Sequence, residues 1–423
     1  MVTPLTFLFT GFGWLVLAAL IGIAALLGQV YGTPLPKWLR TVHAHGTLIG
    51  GLLQLLIGAL LASMAYVAEE RQARDRSHIG LFLLFNGTTL ALVASLGYGH
   101  MLLSGVFGLA MLFVTSSLVR RAWDYIREEL DGSGVETWMY AASGVTLFIG
   151  ILVGIGMCFQ FAPEYFAHAR LLHLHLILLG FLTTTIVALT QRLLPILLRR
   201  DLASVNLGQA TAIFLFAGFL ALIGGFVTSS LRFELVVGGL LLLLTLLYTI
   251  NLFRTWVASG FPGNAATDHL LLAALFLVLT SGMGVLMAAN YLPEAPVFPI
   301  GSLHMLAYTH AAFLGFLVNS ACGGLSYGLP LWLAASRVPS HKKRGPYRER
   351  LDSIMNRWRT VQLTGICFGT MGLAVTAALT WTAPLGSPSV QIAAWMAAGF
   401  LLVGMALFAA KMAWVAGIPP DAD

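Results

Sequence analysis

Residues 173 to 195 read HLHLILLGFLTTTIVALTQRLLP, a long apolar run that opens with two histidines, His173 and His175. The length of the run predicts a helix that crosses a membrane. A histidine is costly in lipid unless it has polar partners, so such residues are generally functional. We therefore expect this helix to begin at a binding site.

The spacing of this run recurs later in the chain. His175 is followed by a glycine five residues later and a proline twenty residues later, and His310 is followed by the same residues at the same distances. The four residues are Gly180, Pro195, Gly315 and Pro330. Two such matches indicate that the chain contains internal repeats.

A looser copy of the pattern lies near the amino terminus. The segment HAHGTLIG, which begins at His43, places Gly50 five residues after His45, but Ala65 stands where the proline would be. His45, His175 and His310 are separated by 130 and 135 residues, which is close to one third of the 423-residue chain. The spacing therefore predicts three repeats.

The composition is that of a polytopic membrane protein. Hydrophobic residues make up 58% of the chain and charged residues only 9%, and the charges fall mainly between apolar runs. These runs predict an all-α transmembrane protein of about twelve membrane-spanning helices in three repeats of four. The repeats run approximately over 1–130, 131–262 and 263–423, within a single transmembrane domain.

The basic residues predict how the chain is oriented. With the amino terminus in the cytoplasm, 19 of the 23 lysines and arginines fall on the inner side and 4 on the outer side. This division agrees with the positive-inside rule. We expect a multi-pass protein of the inner (cytoplasmic) membrane with both termini in the cytoplasm. The net charge of +6 then reflects topology and not nucleic-acid binding.

Few ionisable residues fall inside the predicted helices. His78, His269 and His341 lie at the inner surface, where we interpret them as solvated, and Lys411 is assigned to the same surface. No chain of ionisable side chains leads inward from the cytoplasm, and proton relays normally need one. We therefore expect any turnover to take its protons from the outer side, without proton pumping.

The other histidines all fall at the predicted outer ends of helices. They are His43, His45, His100, His168, His173, His175, His304 and His310. Each alone would be read as an interfacial histidine bonded to loop carbonyls. Together they indicate a metal or haem site, because neutral imidazole is a common nitrogen ligand of iron and copper.

The spacing within each cluster limits which histidines act together. Residues two apart on a helix point about 200° apart, so the two histidines of an H-x-H segment serve two neighbouring sites. His168 precedes His175 by seven residues and shares its face. In the third repeat Tyr308 takes the place of His173, with His304 one turn earlier. The repeats have thus diverged in chemistry.

No residue pattern predicts covalent haem attachment. The three cysteines form neither a C-x-x-C pair nor a C-x-x-C-H segment, and they read as small core residues. They are Cys158, Cys322 and Cys367. Any haem would therefore be a non-covalent haem b.

Twelve spans in three repeats, with histidines on the second, sixth and tenth, resemble the central subunit (subunit I) of haem-copper oxidases and nitric oxide reductases. The segments HAHGTLIG and HLHLILLGF are most similar to short subunit-I-like proteins of the cbb-type branch and to the haem- and copper-containing NnrS family. The architectural likeness covers nearly the whole chain, whereas the likeness in residues is confined to three short motifs. It implies a haem protein that transfers electrons or binds and reduces a diatomic gas, O₂ or NO, at the outer side.

The resemblance also implies ligands. A low-spin haem b would lie between His45, or alternatively His43, and His310. The glycine that follows each of these histidines after five residues would let a flat macrocycle approach the helix. The high-spin haem of the family takes the histidine two residues before His310, where this chain has Tyr308.

The family's copper site corresponds to a histidine of the sixth span and a pair on the seventh. His175 or His173 matches the first, but residues 207 to 230 contain no histidine. We expect the remaining histidines, His168 and His304 among them, to contribute to a different second site that holds copper, a second haem or nothing.

The resemblance implies a cytochrome c or cupredoxin electron donor and further subunits, besides the lipid bilayer. Two other classes remain open: a non-redox membrane transporter, and a protein that handles metal or haem without redox turnover. A transporter would place its ligands nearer the midplane of the membrane.

Overall fold

The computed structural model describes residues 3–70, 78–129 and 134–420. Within these ranges every regular element is helical. Arg71, Arg74 and Arg76, which enter the charge count above, lie outside the described residues, as do the boundary between the first two repeats and Asp423.

Twelve helices are long and apolar enough to cross a membrane within the described ranges, which confirms an all-α polytopic membrane protein. They are Pro4–Val30, Leu39–Tyr66, Ile79–Gly97, Met101–Arg121, Val135–Cys158, Pro163–Leu198, Val205–Thr228, Leu231–Ala258, Ala265–Asn290, Ser302–Arg337, Arg359–Leu379 and Pro388–Gly417. We call them the first to the twelfth span, so that each repeat has four.

The second, sixth and tenth spans share an interruption. In each, an α-helix that ends at a histidine widens into a π-helix of eight residues and then continues as an α-helix. The π-helical segments are Gly46–Leu53, Leu176–Thr183 and Ala311–Val318, and each begins directly after His45, His175 or His310. Because π-helices are rare and concentrate at functional sites, their recurrence at three equivalent positions marks the threefold repeat.

Hydroxyl groups follow the wider spacing of the π-helix in the second repeat. The Thr183 hydroxyl donates to the Leu178 carbonyl at 2.8 Å, and the Thr184 hydroxyl donates to the Leu179 carbonyl at 3.0 Å. Both acceptors lie five residues earlier, as in the π-helical backbone pattern. The TTT segment of the opening sequence run therefore supports the local geometry.

The chain divides into two compact units. The first comprises Met1–Gly97, Gly263–His269 and Val318–Asp423, and the second comprises Tyr98–Pro262 and Leu270–Leu317. The predicted single domain stays a prediction.

Small residues bring helices together inside the first unit. In the eleventh span a methyl group at Gly365 would lie 2.7 Å from the backbone nitrogen of Gly404, in the twelfth span. Close approach over small residues is the usual way in which membrane helices associate. The eleventh and twelfth spans therefore form a tight pair.

A basic helix, His341–Asn356, links the tenth and eleventh spans. The Tyr347 hydroxyl donates to the Ile418 carbonyl at 2.7 Å, which fixes the helix to the segment after the twelfth span. Burial raises the pKa of Asp352 to about 6, with Arg348 opposing the shift. The linking segment is thus a packed part of the first unit, with His341 exposed as predicted.

Candidate functional site

The three repeat histidines are held in the same way. The Nδ1 atom of each lies within hydrogen-bond distance of the carbonyl oxygen four residues earlier. The distances are 2.9 Å from His45 to Thr41, 2.9 Å from His175 to Leu171 and 2.8 Å from His310 to Leu306. A carbonyl only accepts, so Nδ1 carries the proton and the lone pair is on Nε2. Metal-bound histidines are commonly oriented by such a bond, so all three half-buried rings suit ligation through Nε2.

The residues two positions earlier contact a different neighbour. Each packs on a glycine of the first helix of its own repeat, at a distance of 2.9 to 3.2 Å from a methyl group placed on that glycine. The pairs are His43 with Gly22, His173 with Gly154, and Tyr308 with Gly284. Tyr308 is therefore the structural equivalent of His173, as the sequence predicts.

The sixth span shows how an H-x-H segment divides. His173 donates from Nδ1 to the Gly150 carbonyl of the fifth span at 2.7 Å. The ring of His175 lies 4.5 Å from the ring of Phe226 in the seventh span. The two histidines thus contact different helices, in keeping with the opposed directions expected from helical geometry.

The glycine five residues after each repeat histidine has a role that the sequence did not reveal. A methyl group at Gly50 would lie 2.5 Å from Trp14 Cδ2, and one at Gly180 would lie 2.7 Å from Phe219 Cζ. A methyl group at Gly315 would contact Phe276 in the same way, at 2.9 Å from its Cβ atom. An aromatic side chain of the protein therefore occupies the space over each glycine. The expectation that these glycines admit a macrocycle stays a prediction, against which these aromatic contacts weigh.

The first helix of each repeat contains two residues with a constant spacing that face these glycines and the residues two positions before the repeat histidines. Trp14 and Gly22, Thr146 and Gly154, and Phe276 and Gly284 are each eight residues apart. In the second repeat the smaller Thr146 leaves room, and Phe219 of the seventh span fills it beside Gly180. Alignment of the first helices on their glycines would have exposed this repeat in the sequence.

The two outlying histidine candidates, His168 and His304, make hydrogen bonds to other groups of the protein. His168 Nε2 and the Ser229 hydroxyl, which lies at the end of the seventh span, are 2.7 Å apart. The Gly301 backbone N–H donates to His304 Nδ1 at 3.1 Å and caps the start of the tenth span. In that tautomer the His304 proton is on Nε2, and the lone pair on Nδ1 accepts the hydrogen bond from Gly301.

The described ranges contain no group of three histidine, cysteine or acidic side chains placed to hold a metal ion. A copper-type second site formed from His168, His173, His175 and His304 is therefore not assembled as such a cluster, and it stays a prediction.

His269 corrects the interpretation of the inner histidines. It is fully buried, with 0% of its surface exposed, and bonds to Asn319 and Gln362. Lys411 is also buried, at 2% exposure, within the twelfth span. Neither residue is solvated. His269 bonds to side chains of the tenth and eleventh spans, and Lys411 donates to Gln362 of the eleventh span and to the Met355 carbonyl of the linking helix.

Comparison with known proteins adds no family. No protein-family model matches the chain, and no curated protein matches it. The chain is a polytopic helical membrane protein built from three repeats of four spans, each with an Nδ1-anchored histidine at the start of a π-helix.

Proposed function

We propose that the protein is a membrane b-type haem protein in which His45 and His310 are the axial ligands of one haem. The supporting observation is the shared tautomer of these rings, each with Nδ1–H donated to a backbone carbonyl. A bound haem would supply one-electron redox chemistry, while the chain orients the two imidazoles and holds their protons away from Nε2.

The choice of these two histidines follows from the repeat. They hold equivalent positions in the first and third repeats, whereas His43 packs on Gly22 of the neighbouring span. A haem with two axial histidines needs only two ring nitrogens, so it does not require a cluster of three ligands. This favours a haem over a multi-ligand metal centre as the principal cofactor.

The reaction class is electron transfer, or the binding and reduction of O₂ or NO, at the outer side of the membrane. His175 has the same tautomer and is the candidate ligand of a second haem or a copper ion. A cytochrome c or cupredoxin would deliver the electrons. A role in nitric oxide stress, as in NnrS-like proteins, is the alternative within this chemistry.

The first prediction concerns the haem itself. Protein purified from a haem-replete culture is expected to show a Soret band, and acid-acetone should extract the pigment because no C-x-x-C-H segment is present. The His45→Ala/His310→Ala double variant, purified in parallel, controls for adventitious haem. Wild-type protein without a Soret band would refute the proposal.

A carrier is the second candidate function, and the buried pair of Lys411 and His269 favours it. Ionisable residues inside a membrane commonly mark ion or proton pathways. The same absorption spectrum separates the two candidates, since a carrier of this kind needs no visible chromophore.

The second prediction concerns orientation. Both termini are expected in the cytoplasm, because the basic residues divide 19 to 4 between the two sides. Alkaline phosphatase fused after Asp423 should be inactive, and a green fluorescent protein at the same place should fluoresce. A fusion in the loop after the first span provides the reverse control, and the opposite pair of results would contradict the proposed topology.

A further inference from the structure

A chain of buried polar side chains lies within the first unit. Lys411 Nζ donates to the Met355 carbonyl at 3.0 Å and to Gln362 Oε1 at 2.7 Å. Met355 and Gln362 are themselves 1% and 0% exposed. A lysine is thus held within a membrane span by two neutral oxygen acceptors.

The chain continues from Gln362 to His269. Gln362 Nε2 lies 2.5 Å from His269 Nε2, and His269 Nδ1 lies 2.7 Å from Asn319 Oδ1. Because an amide nitrogen donates and an amide oxygen accepts, His269 accepts at Nε2 and donates at Nδ1. The hydrogen bonds therefore run in one direction, from Lys411 to Asn319, and His269 is neutral in this arrangement.

Two acidic side chains of the surrounding helices pair with arginines. Asp268 pairs with Arg359 at 3.3 Å, and Asp352 pairs with Arg348 at 3.6 Å. The tenth span contributes Cys322, the eleventh contributes Cys367, and the first has no titratable side chain. The two hydrogen bonds that Lys411 makes go to neutral groups, so no carboxylate of the described ranges is hydrogen-bonded to it to balance its charge.

The bridging amide permits a second arrangement. If Gln362 rotates by half a turn, its Oε1 accepts from a protonated His269 Nε2, and its Nε2 donates to the lone pair of a neutral Lys411. The neutral amine still donates to Met355. Relative to the first state, one N–H bond of Lys411 is broken and one N–H bond of His269 is formed, so the net charge of +1 is conserved.

We propose that Lys411, Gln362 and His269 form a binding site for a single proton, which the site holds either on Lys411 or on His269. The cost of placing a second uncompensated charge in this buried space restricts the site to one proton. The site goes beyond the proposed haem function and does not depend on it. Its natural use is a reaction or transport step that takes up or releases one proton within the membrane.

The test uses the full-length protein in lipid bilayers, with histidine and lysine side chains labelled with ¹⁵N. Nuclear magnetic resonance distinguishes imidazole from imidazolium, and the His269→Gln variant identifies the signal of His269. In the wild type, Lys411 and His269 are expected never to be charged together at any pH. Charged fractions of Lys411 and His269 that add up to more than one proton per molecule would overturn the proposal without the use of a variant.

Substitution of the lysine provides the second arm. Lys411→Met should move the proton, so that an imidazolium signal of His269 appears on acidification, whereas Lys411→Arg should keep His269 neutral. If His269 stays neutral at every pH in a folded Lys411→Met protein, the site has no second position and the proposal is wrong.

Discussion

Substitution of His45 by alanine is expected to abolish the low-spin haem signal, and His310→Ala should do the same. Six-coordinate iron with two axial histidines needs both nitrogens, so the loss of either ligand leaves a different spin state or no haem. Each ring is fixed by a bond from Nδ1–H to a carbonyl of its own helix, so its removal leaves the backbone intact. The measurement is the absorption and electron paramagnetic resonance spectrum of each purified variant.

Two nearby histidines serve as matched controls. His175→Ala removes a ring with the same tautomer from the second repeat, and should alter only ligand or copper binding. His43→Ala lies two residues from His45 but packs on Gly22, so it should reduce stability and keep the low-spin signal. If both His45→Ala and His310→Ala retained an unchanged bis-histidine spectrum, the assignment would be wrong, and His43 with His304 would be the next pair to test.

The spans could be predicted from the sequence because lipid imposes a long apolar run on each of them. The apolar run over residues 207 to 230, for instance, predicts the seventh span, which forms Val205–Thr228. The divergent directions of His173 and His175 were also predictable, since they follow from helical geometry alone.

The packing around the histidines was not predictable in the same way. The aromatic partner of Gly315 is Phe276, which comes from another span and 39 residues earlier in the chain. A histidine followed by a glycine therefore suggested a macrocycle when the actual neighbour was a side chain. The π-helical widening after each histidine likewise has no signature in composition or hydropathy.

The burial of His269 could not be predicted from the sequence for a related reason. Its position at the start of an apolar run suggested the membrane surface, and nothing close to it in sequence argues otherwise. Its partners are Asn319 and Gln362, which lie on the tenth and eleventh spans. Burial of a polar residue depends on such distant partners, so the fold must be known before it can be assigned.

Substitution of the glycines beneath the aromatic rings is expected to have the second large effect, a loss of stability of the folded protein. Gly50→Ala, Gly180→Ala and Gly315→Ala each place a methyl group against an aromatic side chain that fills the available space. Overpacking of this kind costs about 1–3 kcal/mol when neighbours must shift. Each variant should therefore melt several degrees lower than the wild type when unfolding is followed by size-exclusion chromatography after heating.

Helical glycines with free space beside them provide the control for these substitutions. Gly87 in the third span and Gly239 in the eighth have nothing within 4 Å of an added methyl group. Alanine at these positions should be neutral or slightly stabilising, because alanine favours a helix over glycine by up to about 1 kcal/mol. Equal melting temperatures for Gly50→Ala and Gly87→Ala would contradict the packing explanation.

A rescue experiment separates packing from cofactor binding. Trp14→Leu should recover much of the stability lost in Gly50→Ala, because the smaller side chain makes room for the methyl group, and the two effects should be strongly non-additive. If Gly50 instead existed to admit a haem, Gly50→Ala would lower haem content and Trp14→Leu would not restore it. Haem per protein and melting temperature, measured on the same four proteins, therefore decide what the repeated glycine is for.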